Sequence, residues 1–172
     1  YVINHYCRQI GLEFDRDGEI AHRGAICRPL LDELNGMEFY HQSGPKSLGR
    51  EWVETQVYPM LERYGLSLED KLRTFYEHAA FQIFRIINAN PFSAGNGKLL
   101  ITGGGAFNKF LVERIEALCP CQIVIPGRQI IEYKEALIFA FLGALYMADE
   151  PGCLASVTGA SMDNIGGMLF KV

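Results

Sequence analysis

The sequence predicts an α/β fold, and three observations carry this prediction. From Ser67 onwards, segments with helical and strand-like patterns alternate in the order helix, strand, helix, strand, helix, and successive strands of this kind are usually parallel. A short apolar run then breaks into three consecutive glycines, which is typical of a strand-to-helix turn. Because only two or three strands are evident, we expect an incomplete sheet whose missing strands precede residue 1.

The N-terminal part of the chain is predicted to be helical, with loops between the helices. Apolar residues at helical spacing indicate the helices, and Asp, Gly and Pro indicate the turns. The expected elements are a helix over residues 1–12, a turn over 15–18, a short helix or turn over 27–34, a loop over 36–50 and a helix over 51–64 that Gly65 ends.

The central helix is predicted from its cap and its period. Ser67 is a suitable N-cap, and Asp70 three residues later completes an acidic variant of the capping box. Apolar residues then recur at intervals of three and four to about Asn88, so one face of this helix should be buried.

The remaining elements follow the alternating pattern. We expect a strand over 98–102, a glycine turn, a helix over 107–118, a strand over 122–125 and a long helix over 133–148. The long helix is apolar nearly all round, which favours a central position in the fold. The tail from residue 149 is rich in turn residues and ends in Met168-Leu169-Phe170, which could form one more strand.

Composition argues against several classes of protein, although it leaves a local basic patch open. A chain of 172 residues fits one domain or one lobe, and 49% hydrophobic residues are enough for a core. A net charge of -4 argues against a general surface for nucleic acid or anionic membranes, and the longest apolar run, 136–147, is too short to span a bilayer.

The cysteines indicate a cytoplasmic protein without a disulfide framework. Five cysteines are scattered along the chain, an odd count typical of reduced thiols. Cys119 and Cys121 have one residue between them and no second pair nearby, so no metal site is predicted. The four histidines show no spacing typical of a metal site or a catalytic triad. The first residues also lack the pattern of a secretion signal.

The glycine turn is the main candidate for chemistry. Gly103, Gly104 and Gly105 lack side chains, so a purine or ribose could lie against their backbone, with Asn108 hydrogen-bonding a ribose or phosphate oxygen. A β-branched residue at position 104 should block the ligand and be strained at positive φ. Alternatively the turn is purely structural and Asn108 is a local cap. The stretch matches neither the P-loop nor the dinucleotide fingerprint.

Two further groups could contact a ligand. Lys46, Ser47 and Arg50 share a loop with two glycines and could bind a phosphate or a sugar carboxylate; the alternative is a solvated loop in which Ser47 caps the next helix. Glu135 is placed in the first turn of the last helix, where the helix dipole stabilises a carboxylate. It could equally accept a hydrogen bond from a ligand hydroxyl.

Four spaced stretches together carry a resemblance to a known family. They are PKSLGREW at 45–52, LLITGGGAFNKFLVERI at 99–115, IIEYKEALIFAFLGAL at 130–145 and GCLASVTGA at 152–160, and DRDGEIA at 15–21 extends the likeness. In this order they resemble the C-terminal half of the anhydro-N-acetylmuramic acid kinase family. The resemblance is specific because four separate motifs agree.

The resemblance implies a fold and a set of site residues. Residues 1–172 would form the C-terminal lobe of a two-lobed sugar kinase, a ribonuclease-H-like (actin-like ATPase) lobe that is incomplete and has helical additions. Gly103 to Gly105 would form the adenosine-binding turn, with Asn108 beside it. Glu135 would lie near the sugar, and Lys46, Ser47 and Arg50 match a family loop of unspecified contact.

The resemblance also implies a reaction, in which ATP and Mg²⁺ serve a kinase of cell-wall recycling. Such a kinase opens the anhydro bridge of anhydro-N-acetylmuramic acid with water and phosphorylates the freed hydroxyl. The family's catalytic aspartate and phosphate loop lie upstream of the matching region, so we expect no catalytic residue and no activity in this chain alone. Family kinship is compatible with a homodimer.

Two other functions stay open at this point. One is a non-catalytic nucleotide-binding or assembly module of the actin-like superfamily. The other is an acidic interaction domain in which the glycine turn is only structural.

Overall fold

A computed structural model describes residues 1–43, 46–89, 97–168 and 170 of the chain. The chain divides into two compact units. The first unit comprises Tyr1–Gln42 and Leu48–Pro126, and the second comprises Ser43–Ser47 and Gly127–Val172.

Helices make up most of the described residues. In the first unit they are α1 (Val2–Gln9), α2 (Glu19–Arg23), α3 (Arg28–Asn35), α4 (Glu38–His41), α5 (Arg50–Trp52), α6 (Tyr58–Arg63), α7 (Leu68–Asn88) and α8 (Lys109–Leu118). A π-helical turn at Val53–Val57 joins α5 to α6, and 3₁₀ turns lie at Arg16–Gly18 and Gly104–Phe107. The second unit contains α9 (Arg128–Met147) and α10 (Ala155–Thr158).

The described sheet has two parallel strands. β1 (Lys98–Leu100) pairs with β2 (Gln122–Val124), and Leu99 lies opposite Ile123. The parallel pairing predicted from the sequence is confirmed, although both strands are shorter than expected. The described fold is therefore mostly helical, and the α/β expectation holds only for the β1–α8–β2 segment.

The core of the first unit surrounds α7, which packs against α2, α3 and α8. Its fully or almost fully buried members include Tyr6, Leu30, Leu34, Leu72 and Tyr76. Burying side chains of this size stabilises a fold by roughly 1.5–3 kcal/mol each. The predicted cap is also present, because the Ser67 hydroxyl accepts a hydrogen bond from the Asp70 amide at 3.1 Å.

The prediction that the last long helix is central is wrong for the described structure. α9 begins at Arg128 rather than at Tyr133, and Ile131 is its only buried residue. Leu137 and Phe139 are 66% and 70% exposed. The reason is the shortage of partners, since the other described structure in this unit is α10 and one β-bridge between Cys153 and Asn164.

Two remaining expectations concern the ends of elements. The strand expected at 168–170 includes Leu169, which lies outside the described residues. The helix expected from residue 107 begins instead at Lys109, after the 3₁₀ turn. Across the described helices, none combines the length and the hydropathy that a bilayer crossing requires.

Candidate functional site

A cleft of about 590 Å³ in the first unit is the candidate functional site. Five segments form its walls: the start of α1, the turn before α2, the middle of α7, the glycine turn after β1 and the first turn of α8. The lining residues include Asp15, Asp17, Tyr76, Gly104, Gly105 and Asn108. The predicted glycine turn therefore lies on an open cavity large enough for a small ligand.

The backbone of the glycine turn is accessible from this cleft. Gly104 is exposed, and a Cβ built on it meets no atom within 4 Å. A Cβ on Gly105 would make only an ordinary contact, 3.6 Å from Leu111 Cδ2. The positive φ lies at Gly103, where it is 80°. The prediction that a β-branched residue at position 104 would be strained by a positive φ is therefore wrong.

Asn108 has a structural role on the cleft wall. Its Oδ1 accepts a hydrogen bond from the Leu111 amide at 2.9 Å, which caps α8. Its Nδ2 donates to the Asp15 carbonyl at 3.0 Å and to the Tyr76 hydroxyl at 2.7 Å. Because a side-chain amide has two N–H donors, both are used, and the interpretation of Asn108 as a cap is confirmed. Contact between Asn108 and a ligand stays a prediction.

The turn before α2 forms the facing wall. Asp15 is buried, and its carboxylate accepts hydrogen bonds from the amides of Ile20 and Ala21 at 2.9 and 3.2 Å, which caps α2. Gly18 has a φ of 76°, and a Cβ there would lie 2.3 Å from the Phe110 Cβ. Only glycine allows this turn to pack so closely against α8.

The cleft is suited to an uncharged ligand group. Among the described residues that line it, none is Lys or Arg. Burial, and next the charge of Asp15, raise the pKa of Tyr76, so its hydroxyl stays protonated. A base and a sugar fit such walls, whereas the described lining offers a phosphate no Lys or Arg side chain.

The described residues do not assemble a site for a metal ion. No group of three His, Cys, Asp or Glu side chains within residues 1–43, 46–89 and 97–168 is arranged to hold one. The fit of this cleft to ATP therefore rests on the nucleoside part of ATP.

The predicted cationic loop is described only in part, since Gly44 and Pro45 lie outside the described residues. Arg50 Nε donates to Glu54 Oε1 at 2.7 Å, and its guanidinium lies 5.6 Å from the centre of the Tyr1 ring. Gly49, not Ser47, is the N-cap of α5, so the interpretation of Ser47 as a cap is wrong. Lys46 and Ser47 are exposed and belong to the second unit.

Glu135 lies farther along its helix than predicted. Because α9 begins at Arg128, Glu135 is beyond the first turn, and a preference for the helix start does not explain it. Its side chain is exposed in the second unit. Its role near a sugar stays a prediction.

Sequence reasoning missed most of the residues that line the cleft. Asp17, Tyr76 and Phe107 line it, but in the sequence they read as a turn residue, a core aromatic and a helix start. Asp17 carried a usable signal, because DRDG is a turn motif with two acids of which only one is needed as a cap.

A strand, a glycine turn and a capped helix that open onto a cleft without Lys or Arg in its described lining define a candidate nucleoside-binding protein. The sequence profile of the anhydro-N-acetylmuramic acid kinase family matches residues 3–172. The chain belongs to this family, and the resemblance found in the sequence motifs is confirmed.

Proposed function

We propose that the cleft binds the adenosine part of ATP in a kinase that acts on anhydro-N-acetylmuramic acid. The observation that carries this proposal is the open space at Gly104, where the backbone faces a cavity of about 590 Å³. Family membership supports the kinase class. The full reaction would open the anhydro bridge with water and transfer the γ-phosphoryl group of ATP to the freed hydroxyl, giving N-acetylmuramic acid 6-phosphate.

Within this reaction the chain binds and orients rather than reacts. The cleft walls would hold the adenosine, so that the phosphates point away from walls that carry no Lys or Arg. Positioning of this kind is a large part of phosphoryl-transfer catalysis. In this proposal residues 1–172 are part of the C-terminal lobe of an actin-like, two-lobed enzyme, and other segments supply the base and the phosphate loop.

The two remaining sets of candidate residues would contact the sugar or the phosphates of ATP. The Glu135 carboxylate could accept a hydrogen bond from a sugar hydroxyl, and Lys46, Ser47 and Arg50 could bind a phosphate or the sugar's carboxylate. Glu135, Lys46 and Ser47 are all exposed, which such contacts require.

The substitution Gly104→Val tests the adenosine site. A Val side chain at position 104 meets no protein atom near its Cβ and projects into open space, so the fold should survive. We expect at least a tenfold weaker affinity for adenosine and for ADP in calorimetric titration, because the side chain fills the ligand's space. Unchanged affinity would show that the turn is only structural.

Gly127→Val is the matched control for that experiment. A Cβ at Gly127 also meets nothing within 4 Å, and this residue belongs to the second unit. We expect it to leave adenosine affinity unchanged. A separate assay tests the division of roles. The wild-type chain of 172 residues, assayed alone, should transfer no phosphoryl group to the anhydro sugar, and detectable product would contradict this division.

A further inference from the structure

Building on the proposed adenosine site, we propose that Asp17 makes the cleft selective for ribonucleosides. In this proposal the Asp17 carboxylate accepts hydrogen bonds from the vicinal hydroxyls of the ribose. It is then a specificity-determining residue that distinguishes ribose from deoxyribose, on the wall that faces the glycine turn.

The first support is that the two acidic residues of this turn, Asp15 and Asp17, make different hydrogen bonds. Both oxygens of the buried Asp15 carboxylate are occupied by the amides at the start of α2. Asp17 is half-buried and lines the cleft. Lys109 Nζ donates to its Oδ2 at 3.2 Å, and Oδ1 has no hydrogen-bond partner among the described residues. The carboxylate of Asp15 thus serves the fold, whereas Asp17 has an oxygen that can accept a hydrogen bond from a ligand.

The second support is the backbone that places Asp17. Its φ is 53° and its ψ is 8°, and Asp149 is the other described non-glycine residue with a positive φ. Such a conformation is unfavourable for most side chains, although Asp and Asn tolerate it. The ion pair with Lys109 gives little compensation, because the two side chains are 35% and 75% exposed.

The third support is the charge of the cleft. An ionised carboxylate only accepts hydrogen bonds, so its partner must be a donor. The described lining contains two aspartates and no Lys or Arg, and the ammonium of Lys109 beside it is already paired with Asp17. This arrangement disfavours a phosphate at this position. A pair of neighbouring hydroxyls is an uncharged double donor and fits this chemistry, as it does in the ribose contacts of dinucleotide-binding folds.

Asp17→Asn is the informative substitution. Asn is nearly the same size and accepts the left-handed conformation, so the turn should be kept while the charge is lost. Asp149→Asn is the matched control, because Asp149 has a similar φ of 59° and lies in the second unit. Lys109→Met separates the effect of the ion pair from that of the carboxylate.

The test is calorimetric titration of the 172-residue chain with adenosine, 2′-deoxyadenosine and 3′-deoxyadenosine. We expect the wild type to bind adenosine about 10- to 100-fold more tightly than either deoxy analogue, the range for a hydrogen bond to a charged group. Asp17→Asn should lower the affinity for adenosine to that for the two deoxy analogues. The affinities for the analogues themselves should stay within about twofold of their wild-type values. Asp149→Asn and Lys109→Met should keep the preference.

Three results would overturn the assignment, and they separate it from the proposed function. If Asp17→Asn lowers the affinity for all three ligands equally, Asp17 is a structural residue. Binding that is sensitive to Gly104→Val but indifferent to the sugar hydroxyls would reject the role of Asp17 and keep the adenosine site. If the wild type binds none of the three ligands, the adenosine site and the role of Asp17 both fail.

Discussion

The two long helices of the chain, one in each unit, are nearly equal in length but opposite in environment. α7 has 21 residues and buries seven of them, including charged and polar side chains. α9 has 20 residues with a more apolar sequence, yet buries only Ile131. The apolar content of a helix therefore does not decide its burial here. Burial follows the supply of partners, because α7 packs against α2, α3 and α8.

The polar groups of α7 show how those partners fix its position. The Thr74 hydroxyl accepts a hydrogen bond from the Cys27 amide at 2.9 Å and donates to the Asp70 carbonyl at 2.7 Å. Lys71 Nζ donates to both carboxylate oxygens of Glu62 at 2.9 Å. Satisfied buried groups of this kind specify one register, and that register places Tyr76 on the wall of the cleft.

The largest expected effect comes from the same substitution in both helices. Leu72 is fully buried and Leu137 is 66% exposed. We expect Leu72→Ala to lower the free energy of unfolding by about 2–5 kcal/mol through the cavity it leaves, and Leu137→Ala to change it by less than about 0.5 kcal/mol. Urea denaturation of both variants measures the difference. Equal losses would mean that α9 is covered by a partner in solution.

A pair of left-handed glycines gives the next effect. Gly18 and Gly159 have φ values of 76° and 73°, but a Cβ at Gly18 would lie 2.3 Å from Phe110 Cβ, whereas a Cβ at Gly159 meets nothing within 4 Å. We expect Gly18→Ala to cost about 3 kcal/mol, from overpacking added to backbone strain. Gly159→Ala should cost about 1 kcal/mol, from strain alone. Thermal unfolding that shows equal shifts would contradict the close packing of the turn on α8.

His78 of α7 gives a pH-dependent effect. It is 2% exposed, and burial lowers its pKa to about 4. Its Nδ1 donates to Asn35 Oδ1 across 2.8 Å, and its Nε2 lies 3.0 Å from the Tyr40 hydroxyl. The imidazole is therefore neutral in the folded chain, whereas the unfolded chain binds a proton below about pH 6.5. Stability consequently falls as the pH decreases from 6.5 towards 4.

The size of this effect follows from the two pKa values. Between pH 7.5 and pH 5 we expect a loss of about 2 kcal/mol in the free energy of unfolding. The range stops at pH 5 so that carboxylates such as Glu62 do not add to the measured loss. The hydrogen bond from Lys71 lowers the pKa of Glu62, so the stability that this pair contributes is lost only below the ordinary pKa of a glutamate. Urea denaturation across this range should show a clearly shallower slope for His78→Gln. An unchanged slope would contradict the assignment to His78.

Local chemistry made part of the fold predictable. The Ser67 cap, the end of α7 at Asn88 and the parallel strands were all predicted, because each depends on neighbouring residues or on alternation along the chain. The start of α9 was not, since Gly127 and Arg128 carry no strong N-cap signal. Its exposure could not be predicted either, because a periodic pattern does not reveal whether partners exist.

The candidate site was predictable to the same limited extent. The glycine turn was found because three consecutive glycines after an apolar run are themselves a local signal of a strand-to-helix turn. Asp17 and Tyr76 were not, since they join the cleft through contacts between residues distant in sequence, such as the bonds of Asn108 to Asp15 and Tyr76. Long-range contacts of this kind leave no periodic trace in a single sequence.

The central claim is that the glycine-turn cleft of the first unit binds adenosine. Chemical-shift mapping of the ¹⁵N-labelled chain during titration with adenosine tests it most directly. We predict saturable shifts of the backbone amides of Gly104, Gly105 and Asp17, which line that cleft. The amides of Gly143 and Gly152, which line a separate cavity in the second unit, should stay unchanged. Shifts centred on Gly143 and Gly152, or none at Gly104 and Gly105, would contradict the claim.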